Sequence, residues 1–252
     1  MAENSRRGLA WRARWPAPRR RDAGWIPSPD GWTPPRVPGR LDRRLICPLR
    51  RQLRRLTRRL APERSIVVFH PRYTAALPNL PVDALRAERL LAFLVSEGLV
   101  RRRDVAQPAP ITLKQIGRVH DADYVRSLHD PAVLGPIFGG TVSDDQVDRL
   151  LDLQRLHAGG TMRAMRAAAA AARDGRRRFT AVHLGGGLHH ARPDEGAGFC
   201  LFHDVAIAVD RLRREGFDGR VLIVDLDLHD GDGTRACFAR DERVHTLSVH
   251  AR

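Results

Sequence analysis

The sequence predicts an α/β fold, a three-layer arrangement in which helices flank a parallel sheet. Short apolar segments that suit buried strands alternate along the chain with longer segments in which apolar residues recur at helical spacing. Clusters of Asp, His and Gly directly follow two of the strand segments, which is where parallel sheets form ligand sites. With 252 residues, the chain is long enough to bury one sizeable core.

Four strands are predicted, and helical segments separate them. The strands lie at 65–70, at the start of 179–187, at 220–229 and at 243–250. The helices are expected at 82–98, in two short pieces within 112–129, and at 143–175, 202–216 and 233–240. Ser143 and the acids after it favour a helix start, and glycines favour the helix ends at Gly98, Gly175 and Gly216.

Residues 1–64 differ in composition from the rest of the chain. They hold 18 arginines against 5 acidic residues, so they carry +13 of the net charge of +15. Residues 1–40 are dense in Pro, Gly and Arg, contain all four tryptophans and show no hydrophobic period. We predict an Arg/Pro-rich extension over 1–64, disordered or partly helical, and an α/β domain over 65–252.

The extension leaves a binding role open. Aromatic residues interleaved with arginine can bind single-stranded nucleic acid, and the Leu and Ile residues spaced among arginines in 41–61 can form a basic amphipathic helix. A solvated segment is the simpler interpretation, because a chain with Lys114 as its one lysine indicates codon bias towards arginine. Nucleic acid therefore stays an alternative partner.

Cysteine usage and hydropathy bear on location. The three cysteines, Cys47, Cys200 and Cys237, form no disulfide framework, which is typical of a reducing compartment. No window approaches 18 consecutive apolar residues, so we predict no membrane-spanning helix. We expect a cytoplasmic protein without a membrane partner.

The segment RVLIVDLDLHDGDGT, residues 220–234, combines a buried strand with polar residues at alternate positions. These polar residues are Asp225, Asp227 and His229. Side chains alternate faces in a strand, so the three project together, and Leu226 and Leu228 are expected to point into apolar packing. Two buried carboxylates on one face repel each other unless a cation lies between them, and Asp with His suits Zn²⁺. We therefore predict a metal site.

A second cluster, GGGLHHARPDEGAGFC over 185–200, follows another strand segment. Its glycines permit close backbone approach, and two adjacent imidazoles follow them, His189 and His190. A histidine whose second nitrogen is held by a carboxylate is the usual arrangement for proton transfer. With the aspartates of 225–232 at a neighbouring strand end, this pair predicts a hydrolytic metal site.

The segment LGGGLHHARPDEGAGFCLFHDVAIAV, followed by VLIVDLDLHDGDGT, resembles the zinc-dependent histone deacetylase superfamily. Its bacterial members are the most similar, and the superfamily also includes acetoin-utilisation proteins and acetylpolyamine amidohydrolases. The resemblance covers residues 65–250 and implies an arginase/deacetylase-like fold.

The resemblance implies a role for each polar residue of the two clusters. Two positions would be zinc ligands, Asp227 and His229. The paired histidines, His189 and His190, would serve the attacking water and the leaving amine. Asp225 would orient His189, and Asp232 would orient His190.

Further positions match the family's substrate and cation sites. Gly198 and Phe199 would line the acyl-lysine tunnel, with the Gly198 carbonyl accepting the substrate amide N–H. A structural monovalent-cation site, for K⁺, matches the residues Asp225, Asp227, His229, Ser248 and Val249.

The implied reaction is the zinc-dependent removal of an acetyl group from acetyl-lysine or a similar acetylated amine. Acetylpolyamines and other small amides stay open as substrates, because nothing in the sequence selects among acyl groups. A non-catalytic nucleic-acid-binding protein that uses the arginine-rich segment is the alternative from another class. An arginase-like dimetal enzyme fits less well, because the GGGLHH and GFC motifs do not suit it.

Two parts of the family pattern are not found in these 252 residues. The third zinc ligand, an Asp, and the oxyanion-binding Tyr normally follow the last predicted strand, and neither Tyr73 nor Tyr124 matches that Tyr motif. We therefore expect a domain that lacks its C-terminal part, exposes an apolar sheet face and shows little activity. Smaller departures are Asp230, where His or Gln is common, and His203, where Asn is common and which we expect to be tolerated.

Overall fold

A computed structural model of the chain describes residues 65–74, 83–97, 99–175 and 179–251. They all belong to one compact unit, Leu49–Arg252. The predictions for the extension over 1–64 lie outside the described residues, and so does the helix end predicted at Gly98.

Each of the five described strands pairs in parallel with its neighbours, as predicted, and the strands form two hydrogen-bonded groups. In the first group, β1 (Ile66–Val68) lies between β2 (Val105–Ala106) and β3 (Ala181–His183). In the second, β4 (Val221–Asp225) pairs with β5 (Val244–Ser248). The register places the last residues of β4 and β5, Asp225 and Ser248, opposite each other. Polar side chains are thus gathered where both strands end.

The helices flank these strands, and α5 is the longest of those described. They are α1 (Arg86–Ser96), α2 (Leu113–Ile116), α3 (Ala122–Ser127), α4 (Pro131–Phe138), α5 (Asp144–Arg173), α6 (Asp204–Arg214) and α7 (Asp232–Phe238). Helix α5 begins after Ser143, as predicted, because the Gln146 side chain accepts a hydrogen bond from the Ser143 N–H at 3.0 Å. In the described part of the chain, no helix is long and apolar enough to cross a bilayer.

Two large apolar clusters hold these elements together. The larger one joins α5 to α6 and the short helices before α5, and its fully buried side chains include Leu134, Leu150 and Ile207. The smaller one joins β1 to α1 through residues such as Val67 and Leu91. Helix α5 packs against α6, β1 and β3, and α6 packs against α7. Burial of these faces is the main stabilising contribution, because apolar area removed from water contributes about 25 cal/mol per Å².

The structure corrects the predicted strand over 220–229, which ends at Asp225. Beyond that point the Asp227 N–H donates to Asp225 Oδ1 at 3.0 Å, and the His229 N–H donates to Asp227 Oδ1 at 2.8 Å. These side-chain turns replace the ladder of a strand. The expectation that Leu226 and Leu228 pack inside is wrong, since they are 74% and 67% exposed.

One strand and one α-helix of the described residues were not predicted from the sequence. Strand β2 has two residues, too few to show an alternating pattern. Helix α4 begins at Pro131, where the Asp130 side chain accepts a hydrogen bond from the Ala132 N–H at 2.8 Å. Proline in the first turn with an Asp N-cap is a regular helix start, so this signal was present in the sequence.

Candidate active site

The glycine-rich loop after β3 carries both predicted histidines. Strand β3 ends at His183, and the chain turns through 185–187 to reach His189 and His190. Gly187 has a φ of +92°, in the left-handed region that favours glycine. The loop therefore turns sharply without side-chain strain and presents two consecutive imidazoles.

His189 contacts the last residue of β4. Its Nδ1 lies 2.7 Å from Oδ2 of Asp225, and the two side chains are only 13% and 14% exposed. Because β4 fixes the position of the carboxylate, the contact also fixes the orientation of the imidazole. This is the pair that the resemblance implies.

His190 makes the second expected contact, with the first residue of α7. Its Nδ1 lies 2.8 Å from Oδ1 of Asp232, while Arg192 donates to the other carboxylate oxygen from Nη2 at 2.9 Å. Burial acts to raise the pKa of Asp232, but the hydrogen bonds from His190 and Arg192 outweigh it and lower that pKa below its usual value. The His189 and His190 rings contact each other with centroids 4.1 Å apart and planes tilted by 41°.

The two predicted zinc ligands lie just after β4, beside this pair. The Nδ1 atom of His229 lies 3.0 Å from Oδ1 of Asp227. The same oxygen lies 3.8 Å from Nε2 of His189. The backbone hydrogen bond from His229 lowers the pKa of Asp227 despite the opposing effect of partial burial. A carboxylate and an imidazole thus adjoin the histidine pair.

These donors suit zinc as two of its ligands. Carboxylate oxygen and imidazole nitrogen are both groups that Zn²⁺ prefers, and the side chains of Asp227 and His229 are accessible, at 51% and 69% exposed. Residues 65–74, 83–97, 99–175 and 179–251 contain no group of three or more His, Cys, Asp or Glu side chains suited to holding a metal. The residues present therefore fit part of a zinc site.

A tight turn places the predicted tunnel residues next to His190. Gly198 and Phe199 have φ values of +51° and +67°. Among the described non-glycine residues, Phe199 alone has a positive φ. A Cβ on Gly198 would lie 2.3 Å from Cδ2 of His190, so only glycine allows this approach. Gln154 on α5 donates to the Phe199 carbonyl at 2.9 Å and holds the turn.

The predicted cation residues are brought together only in part. The Val249 N–H donates to the Asp225 carbonyl at 2.9 Å, and the Ser248 hydroxyl accepts from the Gly231 N–H at 3.3 Å. Asp227 joins them through its N–H bond to the Asp225 carboxylate. The structure gives no corresponding contact between His229 and either Ser248 or Val249 in the residues it describes.

A buried polar cluster that was not predicted from the sequence lies beneath the histidine loop. Asp204, the first residue of α6, is fully buried and accepts hydrogen bonds from the N–H groups of Gly187 at 3.0 Å and Leu188 at 2.9 Å. The Thr161 hydroxyl also donates to Asp204 and lies 3.0 Å from Nδ1 of His183. The sequence signal was an acid at the start of a helix, which by itself indicates only a favourable helix terminus.

A second missed contact joins α6 to α7 behind the site. His203 Nε2 lies 3.0 Å from the Thr234 hydroxyl, and the His203 N–H donates to Nε2 of His120 at 2.9 Å. Burial lowers the pKa of both histidines, so each is neutral at neutral pH. His203 thus fills a buried hydrogen-bonding position in this chain.

Comparisons with known proteins identify the family of this chain. Residues 80–252 match the histone deacetylase domain. An uncharacterized protein of Picosynechococcus sp. is 34% identical over 189 residues, which cover 73% of this chain and 59% of that protein. The acetoin utilization protein AcuC of Staphylococcus aureus is 30% identical over 182 residues, covering 68% of this chain and 44% of AcuC.

Solved structures show the same fold. A histone deacetylase homologue from Aquifex aeolicus superposes with a TM-score of 0.56 at 21% identity, covering 75% of this chain and 51% of the homologue. A homologue complexed with SAHA gives the same TM-score at 22% identity. This chain therefore spans about half the length of the relatives it matches. The match to the family domain over 80–252 shows that the chain belongs to the histone deacetylase family.

Proposed function

We propose that this chain carries part of a zinc-dependent site that hydrolyses the amide bond of an acetylated amine, with acetyl-lysine as the first candidate. The observation that carries the proposal is the pair of adjacent imidazoles, each with its own carboxylate, His189 with Asp225 and His190 with Asp232. The family match supports a deacetylase. The histidine roles and the acetylated substrate are proposed from the family resemblance, and the zinc ion from the resemblance together with the chemistry of these residues.

Asp227 and His229 would hold the zinc ion through Oδ and an imidazole nitrogen. When bound, zinc supplies Lewis acidity, which polarises an acyl carbonyl and makes a water easier to deprotonate at neutral pH. Two protein ligands hold zinc less firmly than the three found at catalytic zinc sites. We therefore expect this chain to need added zinc for occupancy.

The histidine pair would move the protons. Carboxylates at both Nδ1 atoms fix the ring orientations, so that each Nε2 is left to exchange a proton with the reacting groups. One imidazole accepts a proton from the attacking water, and the pair returns a proton to the leaving amine. Asp225 and Asp232 stabilise the imidazolium that forms, because each carboxylate stays beside the ring.

The turn at Gly198 and Phe199 would guide the acyl chain to this pair. Phe199 is 41% exposed and packs near Phe138, with ring centroids 6.3 Å apart, so an aromatic face is available to an alkyl chain. The Gly198 carbonyl now accepts from the Cys200 thiol at 3.2 Å and would accept the substrate amide N–H instead. Acetylated polyamines have the same reacting group and stay an alternative substrate class.

We also propose a structural role for K⁺ near the ends of β4 and β5. The carbonyl and side-chain oxygens of Asp225 and Ser248 lie in this region, where Val249 bonds the Asp225 carbonyl. Oxygen ligands suit a hard cation, which would fix Asp225 and thereby His189. Asp227 and His229 complete the set that the family resemblance implies.

Hydrolysis of an acetyl-lysine reporter with added zinc tests the catalytic proposal. We expect slow turnover, because neither Tyr73 nor Tyr124 offers its hydroxyl to the oxyanion of the substrate. The Tyr73 hydroxyl contacts His183, and the Tyr124 hydroxyl donates to the Leu201 carbonyl. The His189→Ala variant should lower the rate at least about 10²-fold, as expected for loss of a general base. Arg103→Gln, which changes an exposed side chain, is the matched control.

A rate that is the same in His189→Ala and after zinc chelation would contradict the proposal. Because turnover is expected to be slow, binding gives a second measurement. SAHA, which is bound to one structural neighbour, should bind this chain in the presence of zinc and bind less tightly to Asp227→Ala. Calorimetry with and without zinc measures this, and zinc-independent binding would argue against Asp227 as a ligand.

A further inference from the structure

A basic groove lies between α2, α5 and α6, outside the proposed catalytic site. It encloses about 340 Å³, and its charged lining residues are Lys114, Arg118, Arg166, Asp210, Arg211 and Arg214. Helix α6 separates this groove from the histidine loop: Asp204 at its first residue contacts the loop, whereas Asp210 and the two arginines lie near its last turn.

The positive charge of the groove is local. Residues 1–64 carry +13 of the net +15, so residues 65–252 carry only +2. Five cationic side chains and one carboxylate nevertheless line this one groove. Such a concentration in a nearly neutral domain creates a field that attracts anions.

Two arginines of the groove are already held in place. Glu215 accepts from Nε of Arg211 at 2.7 Å with one oxygen and from Nε of Arg166 at 3.0 Å with the other. These bonds use one edge of each guanidinium and leave the terminal N–H groups available, since each arginine carries five donors. A bound anion would therefore meet donors whose orientation is already fixed.

The opposite wall of the groove has two cations without a carboxylate partner among the described residues. Lys114 lies in α2, and Arg118 follows one helical turn later. Both side chains belong to exposed residues. The one carboxylate of the groove, Asp210, pairs with Arg214, and Glu215, which lies outside the lining, pairs with Arg166 and Arg211. Lys114 and Arg118 are thus available to contact a ligand in the groove that Arg166 and Arg211 also line.

We propose that this groove binds a compact ligand that carries two or more phosphate groups. Arginine forks match phosphate oxygens, and cations on opposite walls can contact two phosphates at once. The volume is that of a small-molecule site, and the lining contains no aromatic side chain on which nucleic-acid bases could stack. A compact polyphosphate therefore fits better than a single nucleic-acid strand.

Calorimetric titration of the full chain with inorganic pyrophosphate tests the proposal without using enzymatic activity. We expect binding that weakens about tenfold or more in Lys114→Gln/Arg118→Gln, because two charge-assisted contacts are lost. The control, Arg102→Gln/Arg103→Gln, removes the same charge from exposed residues outside the groove and should change affinity by less than about twofold. Thermal unfolding of each variant checks that the domain stays folded.

Three results would overturn the proposal. If pyrophosphate affinity falls equally in both double variants, binding depends on the net charge of the chain, to which the arginines of residues 1–64 also contribute, and not on the groove. Orthophosphate binding as tightly as pyrophosphate would contradict the requirement for two phosphates. If a single-stranded oligonucleotide, but not pyrophosphate, loses affinity in Lys114→Gln/Arg118→Gln, the ligand of the groove is a nucleic acid.

Discussion

Asp204 is the buried charge on which the position of the histidine loop depends. Its two carboxylate oxygens accept from the Gly187 and Leu188 N–H groups, and the Thr161 hydroxyl also donates to it. The side chain is fully buried, so these hydrogen bonds and the N-terminus of α6 must offset the loss of its hydration. Because Leu188 precedes His189, any movement of Asp204 is transmitted directly to the histidine pair.

We predict that Asp204→Asn lowers the free energy of unfolding by about 2–3 kcal/mol. The amide keeps the size of the side chain but removes the charge, and its NH₂ group faces an N–H donor that loses its acceptor. Urea denaturation monitored by circular dichroism measures the change. Asp210→Asn on the same helix is the control: its pair with Arg214 is at the surface and contributes at most about 1 kcal/mol. Equal losses of unfolding free energy in Asp204→Asn and Asp210→Asn would contradict the role of Asp204 as the buried acceptor that holds the loop.

The sequence predicted the residues at the strand ends but not the residues beneath them. Asp225, Asp227 and His229 were visible because they are close in the sequence and follow an apolar run. The family resemblance supplied the pairing of the histidines with their aspartates. Thr161 and Asp204, by contrast, are 43 positions apart and each is unremarkable within its own helix. Contacts of this kind depend on how helices pack, which local patterns do not encode.

At the scale of elements, two glycines allow α5 to cross the first group of strands closely. A Cβ at Gly159 would lie 1.9 Å from the Ala109 carbonyl oxygen, and one at Gly160 would lie 2.0 Å from Nε2 of His183. Glycine in a helix interior costs roughly 1 kcal/mol relative to alanine. The close approach of the loop before α2 and of β3 to α5 is the structural reason for both glycines.

We predict that Gly159→Ala destabilises the domain by about 1–3 kcal/mol, although alanine is the better helix former. The obstacle is a backbone carbonyl, which cannot move aside as a flexible side chain can. Gly117→Ala is the matched control, because its Cβ would meet its nearest neighbour at 3.5 Å and its φ is −66°. Chemical denaturation of both variants decides the matter, and a Gly159→Ala variant as stable as the wild type would refute the packing argument.

The end of β4 shows why the alternating pattern predicted too long a strand. Each N–H after Asp225 that would continue the ladder, at Asp227 and His229, bonds a carboxylate two residues earlier. This repeat of two residues has the same sequence period as a strand. The pattern therefore identified the correct residues at the site but assigned them to the wrong local structure.

For the molecule as a whole, the second group of strands leaves one face open. The side chains exposed on or just beyond β4 and β5 are Leu222, Val224, Leu226, Leu228, Leu247 and Val249. An exposed apolar face was expected from the sequence, and these residues form one. The parallel order of the strands was predictable because helical segments separate them, whereas their division into two groups is a tertiary property.

Buried neutral histidines link several parts of the domain to pH. Burial lowers the pKa values of His120, His157 and His183 to about 4, because the charged imidazole is poorly solvated there. In the unfolded chain a histidine titrates near 6.5. The unfolded state therefore binds more protons between about pH 6.5 and 4, and stability must fall as the pH decreases through this window. The pKa values of Asp227, Asp232 and Asp241 are lowered in the folded state, so these carboxylates change the stability only at pH values below this window.

His120 gives the sharpest test of this pH dependence. Its neutral Nε2 accepts the His203 N–H at 2.9 Å, and protonation of Nε2 would remove that acceptor. A pKa lowered from 6.5 to about 4 corresponds to about 3 kcal/mol of stability, present above pH 6.5 and lost as the pH falls to 4. We predict that His120→Gln, whose amide oxygen can accept the same N–H, reduces the loss of unfolding free energy between pH 7 and 4 by about 2–3 kcal/mol. His129→Gln, at an exposed position, is the matched control. Urea titrations across this range measure both slopes, and parallel curves for wild type and His120→Gln would assign the pH dependence to other groups.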